Sequence, residues 1–141
     1  MGLIAVDTTF LIDLQRDQEA TRQAIRGFLE HHAEDIFCVS VTALGEFAAG
    51  FPDLNHPAFL AVKRQFQVSE QDEEVALAYA TIYRKLKAAG NLIGANDLWI
   101  AASAIRQGAS LETRNREEFG RIKPRFCDRH GITEKGASPI W

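Results

Sequence analysis

Residues 94–105, Gly-Ala-Asn-Asp-Leu-Trp-Ile-Ala-Ala-Ser-Ala-Ile, carry one charged side chain, Asp97, at the mouth of a helix that is otherwise apolar almost all round. A surface helix keeps a polar face, so one without it belongs in the middle of a domain. The rest of the chain must supply the layers that cover it. A carboxylate in a first helical turn gains about 0.3–1 kcal/mol from the helix dipole. Taken alone, Asp97 therefore reads equally as a dipole partner and as a group placed to hold something positive.

The flanking sequence alternates short apolar runs with helical patterns. Leu3, Ile4, Ala5 and Val6 form an unbroken apolar run, as a parallel strand buried on both faces requires. Asp7 ends that run, and Thr8 and Thr9 can cap a helix over 10–15. Ligands of open α/β sheets bind beyond the carboxyl ends of strands, which is where Asp7 falls; Asp13, further on, is expected to face solvent. Asp17 can cap a helix to residue 30 with Ala24, Ile25, Phe28 and Leu29 on its apolar face. A second strand over 36–39 leads through Ser40 into a helix over 41–49, in which Glu46 is the only charge. Glu46 either shares a polar pocket or occupies a narrow solvent face.

A loop over 51–56, a helix over 57–65 and a short edge strand over 66–68 follow. The longest helix opens at Ser69 as cap, buries Val75, Tyr79, Ile82 and Leu86, and stops at Gly90. Arg84, Lys85 and Lys87 in its last turns read as a solvated charge run at a helix C-terminus. The apolar helix, with Asn96 as its cap, ends at Gln107 and Gly108. A third sheet strand runs over 109–113, where Glu112 marks an exposed edge, because buried parallel strands are unbroken apolar runs. Arg114 to Phe119 form a polar turn opening a short helix. A last edge strand falls at 125–127, and residues 129–141 form an irregular tail. Strand–helix alternation with long connections predicts one three-layer α/β domain, helices on both sides of a mainly parallel sheet.

At 141 residues, 46% hydrophobic and with a net charge of −3, the chain lacks the global basic footprint of a passive nucleic-acid binder. Cys38 and Cys127 lie in apolar runs and read as buried free thiols. Two cysteines make no disulfide framework, so a reducing cytoplasm is the expected compartment. The N-terminal apolar run is too short for a signal peptide or membrane span. A metal site from His31, His32, Cys38 and His130 has no supporting ligand spacing.

Asp7 ends a strand, Glu46 lies in the helix after a strand, and Asp97 begins a buried helix. If the strands are neighbours, the three converge at one end of the sheet. Clustered carboxylates raise one another's pKa unless a cation neutralises them. Hard oxygen donors suit Mg²⁺ or Mn²⁺, and the chemistry best served is water attack on a phosphodiester.

The segments VDTTFLIDL, VTALGEFAAG, GANDLWIAASAI and LETRNREEF, in that order, resemble the signatures of PIN-domain ribonucleases. The likeness is closest to the VapC-type toxins of bacterial toxin–antitoxin pairs. It implies a PIN-like α/β/α fold and an endoribonuclease using Mg²⁺, for which Mn²⁺ can substitute. Asp7, Glu46 and Asp97 match the metal-coordinating acids, Thr9 the small hydroxyl residue beside the first acid, and Thr113 the threonine before the active-site turn. The fourth position, often aspartate, falls on the neutral Asn115, and Glu118 one turn on can supply the missing charge. Arg114 and Arg116 are candidate phosphate contacts, since guanidinium binds phosphate as a fork; equally, either can pair with Glu117 or Glu118.

The resemblance further implies an RNA substrate (transfer, ribosomal or messenger), a cognate antitoxin protein and a homodimer, with no membrane partner. Two other classes compete. Asn115 and Glu112, both departures from the family pattern, suit a PIN-like module that binds RNA or protein without cutting. A phosphatase or phospho-receiver would want a second acid two residues after Asp7, where Thr9 stands, or an acidic pair with a separate lysine.

Overall fold

The strand Leu3–Val6 (β1) forms the middle of the sheet because its residues are apolar on both faces: Ile4, Ala5 and Val6 point alternately up and down and are all buried. The computed structural model describes residues 2–16 and 18–122, with the backbone of two short strands beyond them. After β1 come the helices Thr8–Gln15 (α1) and Glu19–His31 (α2), the strand Ile36–Ser40 (β2), and the helices Val41–Ala48 (α3) and Pro57–Gln65 (α4). The strand Gln67–Ser69 (β3) precedes Glu73–Ala88 (α5) and Ala95–Arg106 (α6), the apolar helix. Ser110–Glu112 (β4), Arg116–Gly120 (α7), Phe126–Cys127 (β5) and Thr133–Glu134 (β6) complete the described elements.

The sheet order is β3-β2-β1-β4-β5-β6, parallel from β3 to β5, with β6 antiparallel to β5. The chain leaves β1 for β2 on one side and later returns to place β4 on the other. The crevice between β1 and β4 is therefore the topological switch point, where an open α/β sheet binds ligands. Register pairs Val6 with Val39 and with Glu112, so Asp7, Ser40 and Thr113 emerge level at the same end of the sheet.

The apolar helix takes the position its sequence demands: Leu98, Ile100, Ala101, Ala102, Ser103 and Ala104 of α6 are all buried. Helices α5 and α6 stop alike, at Gly90 (φ 70°) and Gly108 (φ 67°). That left-handed turn lets Asn91 N–H reach Leu86 O at 2.8 Å and Ala109 N–H reach Ala104 O at 2.9 Å, satisfying carbonyls that helix ends leave open. Edge-to-face contacts of Phe10 with Phe28 and Phe66, and of Phe37 with both, fasten α1, α2 and β2 together. Phe10 is fully buried, and its backbone N–H caps on Asp7, so the core itself fixes the first acid.

Several expectations are overturned. Asp7, rather than Thr8 or Thr9, caps α1, which starts at Thr8. Asp72, rather than Ser69, caps α5; Ser69 closes β3 and bonds Gln107 instead. Gly94, not Asn96, is the N-cap of α6, with no side-chain bond. Asp13 does not face solvent: three residues after Phe10, it shares that buried face and is 1% exposed. Its burial is compensated by Arg114 Nε at 2.9 Å and Arg16 Nε at 3.6 Å. Glu112 is buried, not at an edge, because β5 adds outside β4. Thr133–Glu134 form a strand within the stretch expected to be irregular; the rest of that tail, like Asp17, lies outside the described residues. Among the described residues no helix is long and apolar enough to cross a membrane.

Candidate active site

Asp7 stands at the carboxyl end of β1 and is 3% exposed. Its Oδ1 accepts the Phe10 N–H at 3.0 Å and the Thr9 hydroxyl at 2.7 Å, while Oδ2 accepts the Thr113 hydroxyl in a very short bond. Thr113 follows β4, so this bond spans the β1–β4 crevice. The Thr113 Oγ1 in turn accepts the Asn115 backbone N–H at 2.9 Å, which fixes the turn into α7.

That turn carries the site onward. Asn115 is the N-cap of α7 but makes no capping bond; its Nδ2 donates to Glu118 Oε2 at 3.2 Å instead. Glu118 shares a hydrogen bond with Asp97, in the first turn of α6. The Asp97 carboxyl is pushed from 3.8 up to about 7, first by burial, then by the bond to and charge of Glu118, then by the charges of Glu46 and Asp7. Three acids, from α3, α7 and the end of β1, thus act on Asp97 in α6. Glu46, on α3, is exposed, and its Oε1 accepts the Thr8 hydroxyl at 2.8 Å.

The fold accordingly brings together Asp7, Thr9, Glu46, Asp97, Thr113, Asn115 and Glu118 from distant parts of the chain. Arg114 pairs with neither Glu117 nor Glu118 but with Asp13. Arg116 is partly buried at the start of α7, with an interaction of its own. In sequence Thr8 reads only as a possible cap; its bond to Glu46 bridges 38 positions, and no local pattern could announce it. The alternative metal set is engaged elsewhere: His32 Nδ1 lies 2.6 Å from Asp35 Oδ2, and Cys38 Sγ donates to Gln107 at 3.4 Å. His130 lies outside the described residues.

Carboxylate oxygens are the donors that a hard divalent cation takes. Burial first, and then the neighbouring carboxylates, push Asp97 up, and a cation bound among these acids would relieve that repulsion. In donor chemistry and charge the cluster fits Mg²⁺. Among the described residues no three His, Cys, Asp or Glu side chains already stand as a ready-made ligand set, each acid being held by a protein neighbour.

A parallel sheet with carboxylates gathered at its switch point defines a class, and comparison with known proteins names it: the chain belongs to the PIN domain family, whose model matches residues 4–123. Within it the curated relatives are VapC proteins. Ribonuclease VapC1 of Methanocaldococcus jannaschii is 32% identical over 123 residues, covering 85% of this chain and 81% of that protein. Ribonuclease VapC1 of Rickettsia felis is 33% identical over 131 residues, covering 87% and 92%. Among solved structures, VapBC-1 from nontypeable Haemophilus influenzae superposes with a TM-score of 0.71 at 27% identity, over 85% of this chain and 92% of that one.

Proposed function

We propose that the chain is a Mg²⁺-dependent endoribonuclease, the toxin member of a cytoplasmic toxin–antitoxin pair. The observation that carries this reading is the Asp97 carboxyl, pushed up to about 7 by its own burial and by the acids gathered around it at the β1–β4 switch point. The ribonuclease names of its VapC relatives support the substrate class, and the likeness to a VapBC structure supports a protein partner.

Asp7, Glu46, Asp97 and Glu118 are the residues that would hold Mg²⁺ or Mn²⁺. When bound, such an ion supplies an activated water and neutralises charge developing on a phosphodiester. The protein's own part is placement. Thr9, Thr113 and the Phe10 N–H hold the Asp7 carboxylate in one orientation, and Thr8 does so for Glu46. Asn115, being neutral, is assigned a positioning part: its amide steers Glu118 toward Asp97. Attack in line with the leaving 3′ oxygen would give 5′-phosphate and 3′-hydroxyl ends. Arg114 is half exposed beyond its ion pair, which leaves its outer edge available for a phosphate, with Arg116 beside it in sequence.

A groove of about 470 Å³ between α1 and α2, apolar at Leu14, Ile25 and Leu29 and basic at Arg22 and Arg26, offers a seat for an antitoxin segment. A homodimer remains part of the proposal through the resemblance to VapC proteins. The test is cleavage of total RNA by wild-type protein with Mg²⁺, by the same protein with chelator, and by Asp97→Asn. Cleavage only in the first supports the reading; cleavage in all three overturns it.

A further inference from the structure

A cluster of carboxylates repels the phosphates it must cut, and with a net charge of −3 the chain as a whole does not attract RNA. The positive charge needed to hold a strand must therefore be local. Between Glu74 and Asp97 the sequence contains no acid and three bases, Arg84, Lys85 and Lys87. Arg106, at the end of α6, pairs with Glu74 near the start of α5, and Trp99 stacks on Tyr79 at 4.1 Å. These contacts make the two helices antiparallel and set the first turn of α6, where Asp97 stands, beside the middle of α5, so that the last turns of α5 run on past it toward the 91–94 connection.

Arg84, Lys85 and Lys87 are all exposed. Lys87 Nζ is drawn over the Tyr83 ring, 5.9 Å from its centroid. Across the connection, Arg121 caps α7 three residues after Glu118 and donates from Nη1 to Leu92 O at 3.1 Å. Arg121 is exposed, and the Leu92 it touches is 41% exposed. The helix dipole alone accounts for a base or two in the last turn of α5. It does not account for an acid-free stretch of this length, nor for a further arginine pinned to the same connection from another helix.

We propose that the C-terminal turns of α5, the 91–94 connection and Arg121 form the track that lays a single RNA strand against the acid cluster, its phosphates on Arg84 and Lys87, which share one face of α5 at i,i+3, and on Arg121. The inference rests on the ribonuclease reading and adds where the substrate lies. Single strands suit such a track because their backbone can follow a basic groove while the bases turn outward.

The test is anisotropy of a short fluorescent single-stranded RNA with chelator present, so that nothing is cut, over a series of salt concentrations. Arg84→Glu/Lys87→Glu/Arg121→Glu should weaken binding at least tenfold at low salt, and every phosphate left without its basic partner should flatten the log–log salt slope by about 0.7. Lys63→Glu/Arg64→Glu, an exposed pair on α4, should bind as wild type. With Mg²⁺ the triple variant should show a raised KM and a nearly unchanged rate at saturating RNA. Arg84→Gln/Lys87→Gln replaces it if the charge reversals disturb folding by circular dichroism. Wild-type affinity and slope in the α5 variants, or an equal loss in the α4 pair, overturns the track while leaving a cleaving wild type as a ribonuclease. A wild type that neither binds nor cuts RNA removes the ribonuclease reading, and the track with it.

Discussion

Replacing Asp97 by asparagine tests whether the acid cluster is a charge excess awaiting a cation or a settled structural network. An aspartate in the unfolded chain ionises near 3.8, whereas folded Asp97 keeps its proton to about 7. Between those values the folded state binds more protons, so stability falls as pH rises, and the loss is complete above about 7. At 1.36 kcal/mol per decade the ceiling is about 4 kcal/mol. Asp97 is only partly buried, and screening reduces the figure to about 2 kcal/mol. The asparagine amide cannot ionise and can still donate to Glu118, so Asp97→Asn should be more stable than wild type by that amount at pH 8 without metal. For a chain of this size that is a melting temperature higher by roughly 4–8 °C. The assay is thermal unfolding with chelator at pH 8 and near pH 4, where the two proteins should melt together. Mg²⁺ should then raise the melting temperature of wild type and not of the variant. A variant less stable than wild type at pH 8 without metal would refute the reasoning and make Asp97 a structural cap.

Other consequences follow from named contacts. Thr113→Val removes the hydroxyl that donates to Asp7 and accepts from Asn115; leaving those buried groups unmatched should cost about 1–3 kcal/mol, read by urea titration. Arg114→Met strips Asp13 of its nearer cation, leaving Arg16, and should destabilise by about 2–4 kcal/mol. Asp13→Leu/Arg114→Met should recover most of that loss, and if Arg114 served phosphate alone, the single variant would melt as wild type. Thr8→Val, at an exposed bond, should change stability by about 1 kcal/mol or less, while lowering the Mg²⁺-dependent cleavage rate several-fold and weakening Mg²⁺ binding, with Thr8→Ser restoring both. Asp35 is held below 3.8 by the Gly2 N–H and by His32. Its contribution is therefore present at neutral pH and lost as pH falls through its lowered pKa, so Asp35→Asn should lower the melting temperature at pH 7 by more than it does in strong acid.

How far the sequence reached can be seen element by element. The buried helix α6, the strand ending in Asp7 and the glycine stops at Gly90 and Gly108 were legible because each depends on local periodicity or local backbone geometry. The misreadings concern polar residues whose surroundings are set at long range. Asp13 looks like a surface acid until Arg114, some hundred positions on, is seen beside it. Glu112 looks like an edge residue until β5 covers the outside of its strand. The caps failed for a similar reason, since Asp7 and Asp72 outcompeted neighbouring hydroxyls once the strand ends were placed. For the site itself, the acids could be named from their places in strand and helix, but the links between them could not. The Asp7–Thr113, Thr8–Glu46 and Asp97–Glu118 contacts exist only when α3, α6, α7 and the carboxyl ends of β1 and β4 meet.

The central claim is that the acids around Asp97 hold the cation that drives RNA hydrolysis. The most direct measurement compares calorimetric Mg²⁺ binding with the cleavage rate of one RNA over the same Mg²⁺ range, for wild type and Asp97→Asn. In wild type the rate should half-saturate where binding does, and the variant should lose both together. Cleavage that persists undiminished in chelator, or Mg²⁺ binding and cleavage that survive intact in Asp97→Asn, would contradict it.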